Sequence, residues 1–157
     1  MTLPPAGWIA LILLVAPAPG SPTVGIDKGK GEAVVLTGRV VELTTALKAT
    51  GLSFDEEPIA RQVVLQGSDG SLTPLLSEEA SRALFLDKRL RDRPAEITGR
   101  RYPGLPYLQV VTFKVEDQGE LRTPEYFCEI CTISVRYPQV CPCCQGPMDL
   151  RMRPDSR

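Results

Sequence analysis

Ala33-Val34-Val35-Leu36-Thr37-Gly38-Arg39-Val40-Val41-Glu42-Leu43 is the stretch whose reading decides the fold. Its β-branched run predicts one long strand, and Gly38 in its middle marks a bend or bulge, as in a strongly coiled strand. Residues 59–66 read as a second strand. Gly67-Ser68-Asp69-Gly70 reads as a tight turn, since Asp-Gly readily adopts positive φ. Residues 71–76 return as a third strand, with Pro74 confining it to an edge or irregular position.

Further along, Ser77 fits a helix N-cap with Glu78 and Glu79 in the first turn, and Ala80, Ala83, Leu86 and Leu90 share one helical face. Pro94 bars continuation of that helix. Residues 95–102 form a fourth strand, Pro103-Gly104 a turn, and residues 107–115 a fifth strand. In the fifth, strict alternation puts Tyr107, Gln109, Val111, Phe113 and Val115 on one face and Leu108 and Val110 on the other.

Three strands, one helix and two strands is the element order of an OB-fold, a partly open five-stranded barrel. Residues 33–120 resemble bacterial OB-type modules in Gly38-Arg39-Val40-Val41, in the helix before the fourth strand, and in Ile97-Thr98-Gly99-Arg100. An SH3-like barrel or a small sandwich is the competing architecture. The fold class expected is therefore mainly β, an OB-like barrel with one helix followed by a Cys-rich hairpin module.

The N-terminus carries an address. Trp8 to Ala16 is an apolar run of nine residues, and Ala18-Pro19-Gly20 supplies small residues for cleavage. Nine helical residues span only about 14 Å, half of a bilayer core. Residues 1–20 thus read as a signal peptide, with an uncleaved anchor or a buried helix as alternatives. Residues 21–32 read as a flexible leader, 33–120 as the barrel, 121–153 as the Cys-rich module and 154–157 as a tail. The expected location is the periplasm, the cell envelope or the exterior, with no membrane span after cleavage.

Composition removes several chemistries. The 157 residues contain no histidine, which excludes Ser-His-Asp and Cys-His catalysis and His-ligated metals. Eighteen basic against nineteen acidic residues argue against a dominant nucleic-acid role. Lys88, Arg89, Arg91 and Arg93, with Arg100 and Arg101, form an interrupted basic stretch that reads as a solvated face. Tyr102, Tyr107 and Phe113 are the rings available if the barrel binds single strands. Asp55-Glu56-Glu57 reads as a solvated acidic loop without the alternating ligands of an EF-hand. Glu42, Glu96 and Glu116 lie on or beside strands without a spacing that defines an acid/base pair.

All five cysteines fall within seventeen residues: Cys128, Cys131, Cys141, Cys143 and Cys144. Cys128/Cys131 and Cys141/Cys144 are two Cys-x-x-Cys pairs separated by nine residues, the layout of a tetrahedral S4 zinc site. Each pair makes a knuckle that aims two thiolates at one point, and Tyr137-Pro138 is the expected turn of the hairpin between them. Cys143 is the spare, able to replace Cys144 as a ligand. A segment this short buries too little apolar surface to fold alone, so a metal supplies the missing stability. Structural disulfides and redox-active thiols are the rival readings. Five is an odd number for pairing, and the βαβ context of a thioredoxin-like site is missing. Met148 and Met152 are candidate soft ligands for copper(I), with packing against the hairpin as the simpler role.

The same segment resembles the small heavy-metal-binding domain of bacterial copper-efflux components and transport ATPases. The matching positions are Tyr126, Cys128, Cys141, Pro142 and Cys144, with Met148 and Leu150 further on. Cys131 stands where that family has His, Glu129 where it has Pro, and Gln145-Gly146-Pro147 intervenes before Met148. An all-thiolate set turns the implication from copper handling toward a zinc ribbon.

The expected protein is thus an exported, non-enzymatic metal-binding and interaction protein holding zinc, ahead of copper(I) or iron, on Cys128, Cys131, Cys141 and Cys144. One metal ion and a protein docked on the barrel are its expected partners. An envelope thiol–disulfide protein and a single-strand nucleic-acid binder are the alternatives.

Overall fold

The computed structural model of the chain describes residues 31–154. The signal peptide expected at 1–20 lies outside the described residues, as do all but the last two residues of the expected leader and all but the first of the expected tail. Among the described residues, no helix is long and apolar enough to cross a membrane.

The protein is mainly β. Among the described residues, eight strands, β1 (Glu32–Glu42), β2 (Val63–Gln66), β3 (Leu72–Pro74), β4 (Pro94–Arg101), β5 (Gln109–Asp117), β6 (Glu120–Cys128), β7 (Ile133–Val135) and β8 (Asp149–Arg153), are joined by two short helices, α1 (Leu43–Ala49) and α2 (Arg82–Leu86). The sheet order is β3-β2-β1-β4-β5-β6-β7, with β8 also on β6.

The long first strand forms as expected, and Gly38 explains its coiling. β1 pairs with β4 from Glu32 to Arg39 and with β2 from Arg39 to Glu42. At the handover the Gln66 carbonyl oxygen comes so close that a Cβ on residue 38 would sit 2.3 Å from it. Only glycine lets one strand change partners in so little space. The Gly67–Gly70 turn also forms: the Asp69 carboxylate accepts from the Ser71 amide and hydroxyl, and Gly70 takes φ 80°.

Within that order, the ends of the five-strand path β3-β2-β1-β4-β5 meet at one parallel bridge. The Leu108 amide donates to the Pro74 carbonyl at 2.8 Å, and the Leu76 amide to the Leu108 carbonyl at 3.0 Å. No ladder extends from that bridge among the described residues, so the sheet curls without closing.

Three expectations need correction. The helix expected from Ser77 to Leu90 is reduced to α2 and a 3-10 turn at Lys88–Leu90. Ser81 is buried and its hydroxyl donates to the Leu76 carbonyl, holding residues 76–81 in a turn. Asp87 then adopts extended dihedrals, and its carboxylate accepts from the Arg89 amide, a local bond that competes with helix. Leu86, expected on the buried face, is consequently exposed.

The second correction concerns β5. Thr98 pairs with Thr112 but Gly99 with Val110, leaving Val111 as the extra residue of a bulge. Alternation reverses there, so Val110, Phe113 and Val115 all face the core and Val111 faces out. Third, α1, β6 and β8 are elements beyond those read from sequence. β6 follows β5 through Gln118 and Gly119, both at positive φ, as a two-residue hairpin requires. Strand β6 starts at Glu120, runs unbroken to Cys128 and carries Tyr126 into the same core as Val40, Leu90 and Ile97. Val135, Met148, Leu150 and Met152 pack against that core, which gives both methionines a packing role.

Candidate metal centre

Strand β6 positions both knuckles. It ends on Cys128, and β7 returns antiparallel to it with Ile133 opposite Cys128. The first knuckle is therefore the tip of the β6–β7 hairpin. Tyr137-Pro138 lies beyond β7, in the link to the second knuckle, with the Tyr137 ring under the Arg82 guanidinium at 4.8 Å. After the second knuckle, β8 pairs along the other edge of β6, with Leu150 opposite Tyr126.

Each knuckle uses the same local device. The residue after its second cysteine has left-handed φ, 54° at Thr132 and 60° at Gln145. That reversal turns the chain back so both thiols point inward. In the second knuckle the Gln145 amide donates to the Cys141 carbonyl and the Cys141 amide to the Gly146 carbonyl, each at 2.9 Å.

The four sulfurs of Cys128, Cys131, Cys141 and Cys144 all lie within 4.8 Å of one another. Those of Cys128 and Cys144 are 3.6 Å apart. Zinc–thiolate bonds of about 2.3 Å in a tetrahedron place sulfurs about 3.8 Å apart, so the spacing fits such an ion. It is far beyond the roughly 2.05 Å of a disulfide, and all five cysteines are free thiols. Cys128 and Cys141 are buried, Cys131 is half-buried, and Cys143 and Cys144 are exposed. Cys144, rather than Cys143, supplies the fourth sulfur of the cluster.

Backbone amides are arranged around the two buried thiols in matching fashion. Those of Cys144 and Cys143 hold the Cys141 thiol down at about 7. Those of Cys131 and Ile130 act in the same sense on Cys128, but burial and the Cys141 and Cys144 thiols leave it raised. The neighbouring Cys143 thiol, followed by burial, raises Cys131. Charge thus develops first at Cys141, and each further thiolate is opposed by those already present. A thiophilic cation among the sulfurs removes that opposition, and a histidine-free donor set of four thiolates suits a d10 ion such as zinc.

A network that sequence reading missed holds this end of β6. The buried Tyr126 hydroxyl donates to the Asp87 carboxylate at 2.7 Å, and Arg89 grips the same carboxylate from outside, its closest nitrogen also at 2.7 Å. Arg89 is the main reason Asp87 is held at about 2, while burial and Asp87 raise the Tyr126 phenol. The aromatic two residues before Cys128, on the same strand face, was the available signal.

The other candidate residues do not converge. Arg89 is held by Asp87, Arg91 by Glu42 and the Phe85 carbonyl, and Arg93 by the Glu116 carbonyl, which breaks up the basic stretch. Phe113 is in the core and Tyr102 donates to Gln109, so no platform of rings forms with Tyr107. In the acidic loop Glu56 pairs with Lys48 at 2.7 Å and Asp55 accepts from the Glu57 amide. Glu96 pairs with Lys114 and Glu116 accepts from the Gly119 amide, so neither forms an acid/base pair with Glu42. A groove of about 490 Å³ opens between β5, β6 and β7, lined among others by Val111, Lys114, Pro124, Val135, Arg136 and Arg153.

Comparison with protein-family models, with curated proteins and with solved structures finds no match to this chain, so the four-sulfur cluster itself is what speaks for its chemistry.

Proposed function

We propose that this chain is an exported, non-enzymatic zinc-binding protein. Its ion is held by Cys128, Cys131, Cys141 and Cys144 in a zinc-ribbon-like module, and its OB-like barrel serves as a surface for a protein partner. The convergence of those four sulfurs within 4.8 Å carries the metal reading. The five-strand path and the parallel Leu75–Leu108 bridge support the OB-like one. Export rests on the signal-like residues 1–20 and would place the centre in an oxidising compartment. The groove between β5 and β7 is the concave surface offered to the partner.

A structural role for the ion is favoured over catalysis, because four protein thiolates leave no open position. It is also favoured over thiol–disulfide exchange: the Cys141 thiol, held down at about 7, is fully buried, whereas an exchanging thiol needs an accessible face.

The test is metal analysis of the full chain purified without chelator. One equivalent of zinc, lost in both Cys128→Ser and Cys141→Ser, is the expected result. A metal-free protein that exchanges a Cys pair with a dithiol would replace this reading with the redox one.

A further inference from the structure

Resting on the reading of the groove as the surface offered to a protein partner, we infer that it takes an extended acidic–apolar peptide segment, added as a strand along the open edge of β5. Strand β6 pairs with β5 only at Glu120, Leu121 and Arg122, with Val115 opposite Arg122. The same register, carried two residues further, puts Pro124 opposite Phe113. Asp117 and Glu120 close a two-residue hairpin and exchange both ladder bonds. By alternation Val115 and Phe113 also present their amides and carbonyls to the β6 side. Proline has no N–H, so Pro124 cannot donate to the Phe113 carbonyl, and the ladder stops there.

The groove opens where the strands part, between Arg122, the last residue paired with β5, and Tyr126, where β7 begins to pair. Residues 111–114 of β5 line it, and among the described residues no strand pairs with them on that side. Four residues are about 13 Å of extended chain, room for a short added strand. Such a strand supplies the amide that Pro124 withholds, and its alternate side chains set specificity. Charge selects the occupant. Lys114, Arg136 and Arg153 line the groove against one carboxylate, Glu125, three positive charges to one negative. Glu125 pairs with Arg153 at 3.4 Å and Glu96 with Lys114 at 3.7 Å, whereas Arg136 makes no ion pair among the described residues. Exposed Val111 and half-buried Val135 add apolar walls. Two copies of this chain meeting groove to groove would bring like charges together, which favours an acidic partner over self-pairing.

The experiment uses the full chain as purified and four fluorescein-labelled hexapeptides that alternate glutamate with valine, isoleucine, leucine or phenylalanine. Fluorescence anisotropy reads binding, hydrogen exchange reads its place, and sedimentation reads the oligomeric state. At least one peptide is expected to bind and to slow exchange over residues 111–114. Its lysine-for-glutamate counterpart should bind at least about tenfold more weakly, as should the acidic peptide to Arg136→Glu, a change at an exposed side chain outside the core. N-methylation of every amide of the peptide should abolish binding, because it removes the donors of an added strand. Equal binding of the methylated or the lysine peptide in the groove overturns the inference alone, as does protection confined to another face. A chain that self-associates with residues 111–114 already protected overturns it in favour of a second copy. No binding from any peptide of either charge overturns the groove as a partner surface, and this inference with it.

Discussion

The hydroxyl of Tyr126 and the carboxylate of Asp87, thirty-nine residues apart, meet at 2.7 Å, two residues along β6 from Cys128. This bond ties the end of β6 to the segment following α2. Removing it in Tyr126→Phe leaves Asp87 with Arg89 but without its buried donor, and costs about 1–2 kcal/mol. Urea denaturation of the metal-loaded protein would show a lowered midpoint with an unchanged slope.

Asp87 also sets an acid limit. Its carboxyl is lowered from 3.8 to about 2, chiefly by Arg89. A depressed folded value means the stabilisation is present above pH 4 and lost as pH falls through about 2; the shift corresponds to about 2 kcal/mol. Asp87→Asn should flatten stability between pH 4 and pH 2 relative to wild type, as followed by thermal melts across that window.

Gly38 tolerates no side chain. A methyl group there would meet the Gln66 carbonyl oxygen at 2.3 Å, backbone against backbone. Gly38→Ala should cost about 2–3 kcal/mol by forcing β1 and β2 apart. Hydrogen exchange is expected to rise along Val63–Gln66 more than along β4, because the contact lies on the β2 side.

The knuckles carry strain that glycine would relieve. Thr132 and Gln145 hold φ of 54° and 60°, a region costly for a β-branched residue above all. Thr132→Gly should stabilise the protein by about 0.5–1 kcal/mol, and Gln145→Gly by less. Thermal melts at fixed metal concentration would register both increments.

Chelation should act locally. Removing the ion is expected to raise hydrogen exchange across Cys128–Val135 and the Cys141–Gly146 loop, while β1, β2 and β4 keep their protection. The latter are held by ladders and core contacts that include no sulfur ligand. Equal deprotection of β1 would contradict this division.

The strands up to Gln109 and the cysteine pairing were legible because each rests on a short-range pattern. β-branched runs mark β1, and Cys-x-x-Cys spacing marks the two knuckles. What escaped depended on partners distant in sequence. Pro124 inside β6 argues against a strand when read alone, yet it is buried with Met152 opposite it on β8. Leu150 and Met152 alternate as a strand should, but Met152 also reads as a soft ligand until its packing is known. The helix expected through Leu90 has the right apolar spacing; the Asp87 carboxylate, accepting from the Arg89 amide two residues on, stops it. The bulge at Val111 inserts one residue, which no period-two reading can anticipate.

Strand β8 also has a protective consequence. It covers one edge of β6 from Thr123 to Phe127, a row of backbone polar groups that would otherwise recruit a strand from another molecule. Clipping the chain just before Asp149 would spare every cysteine and still leave β6 adhesive, so the five residues of β8 serve as a guard against self-association.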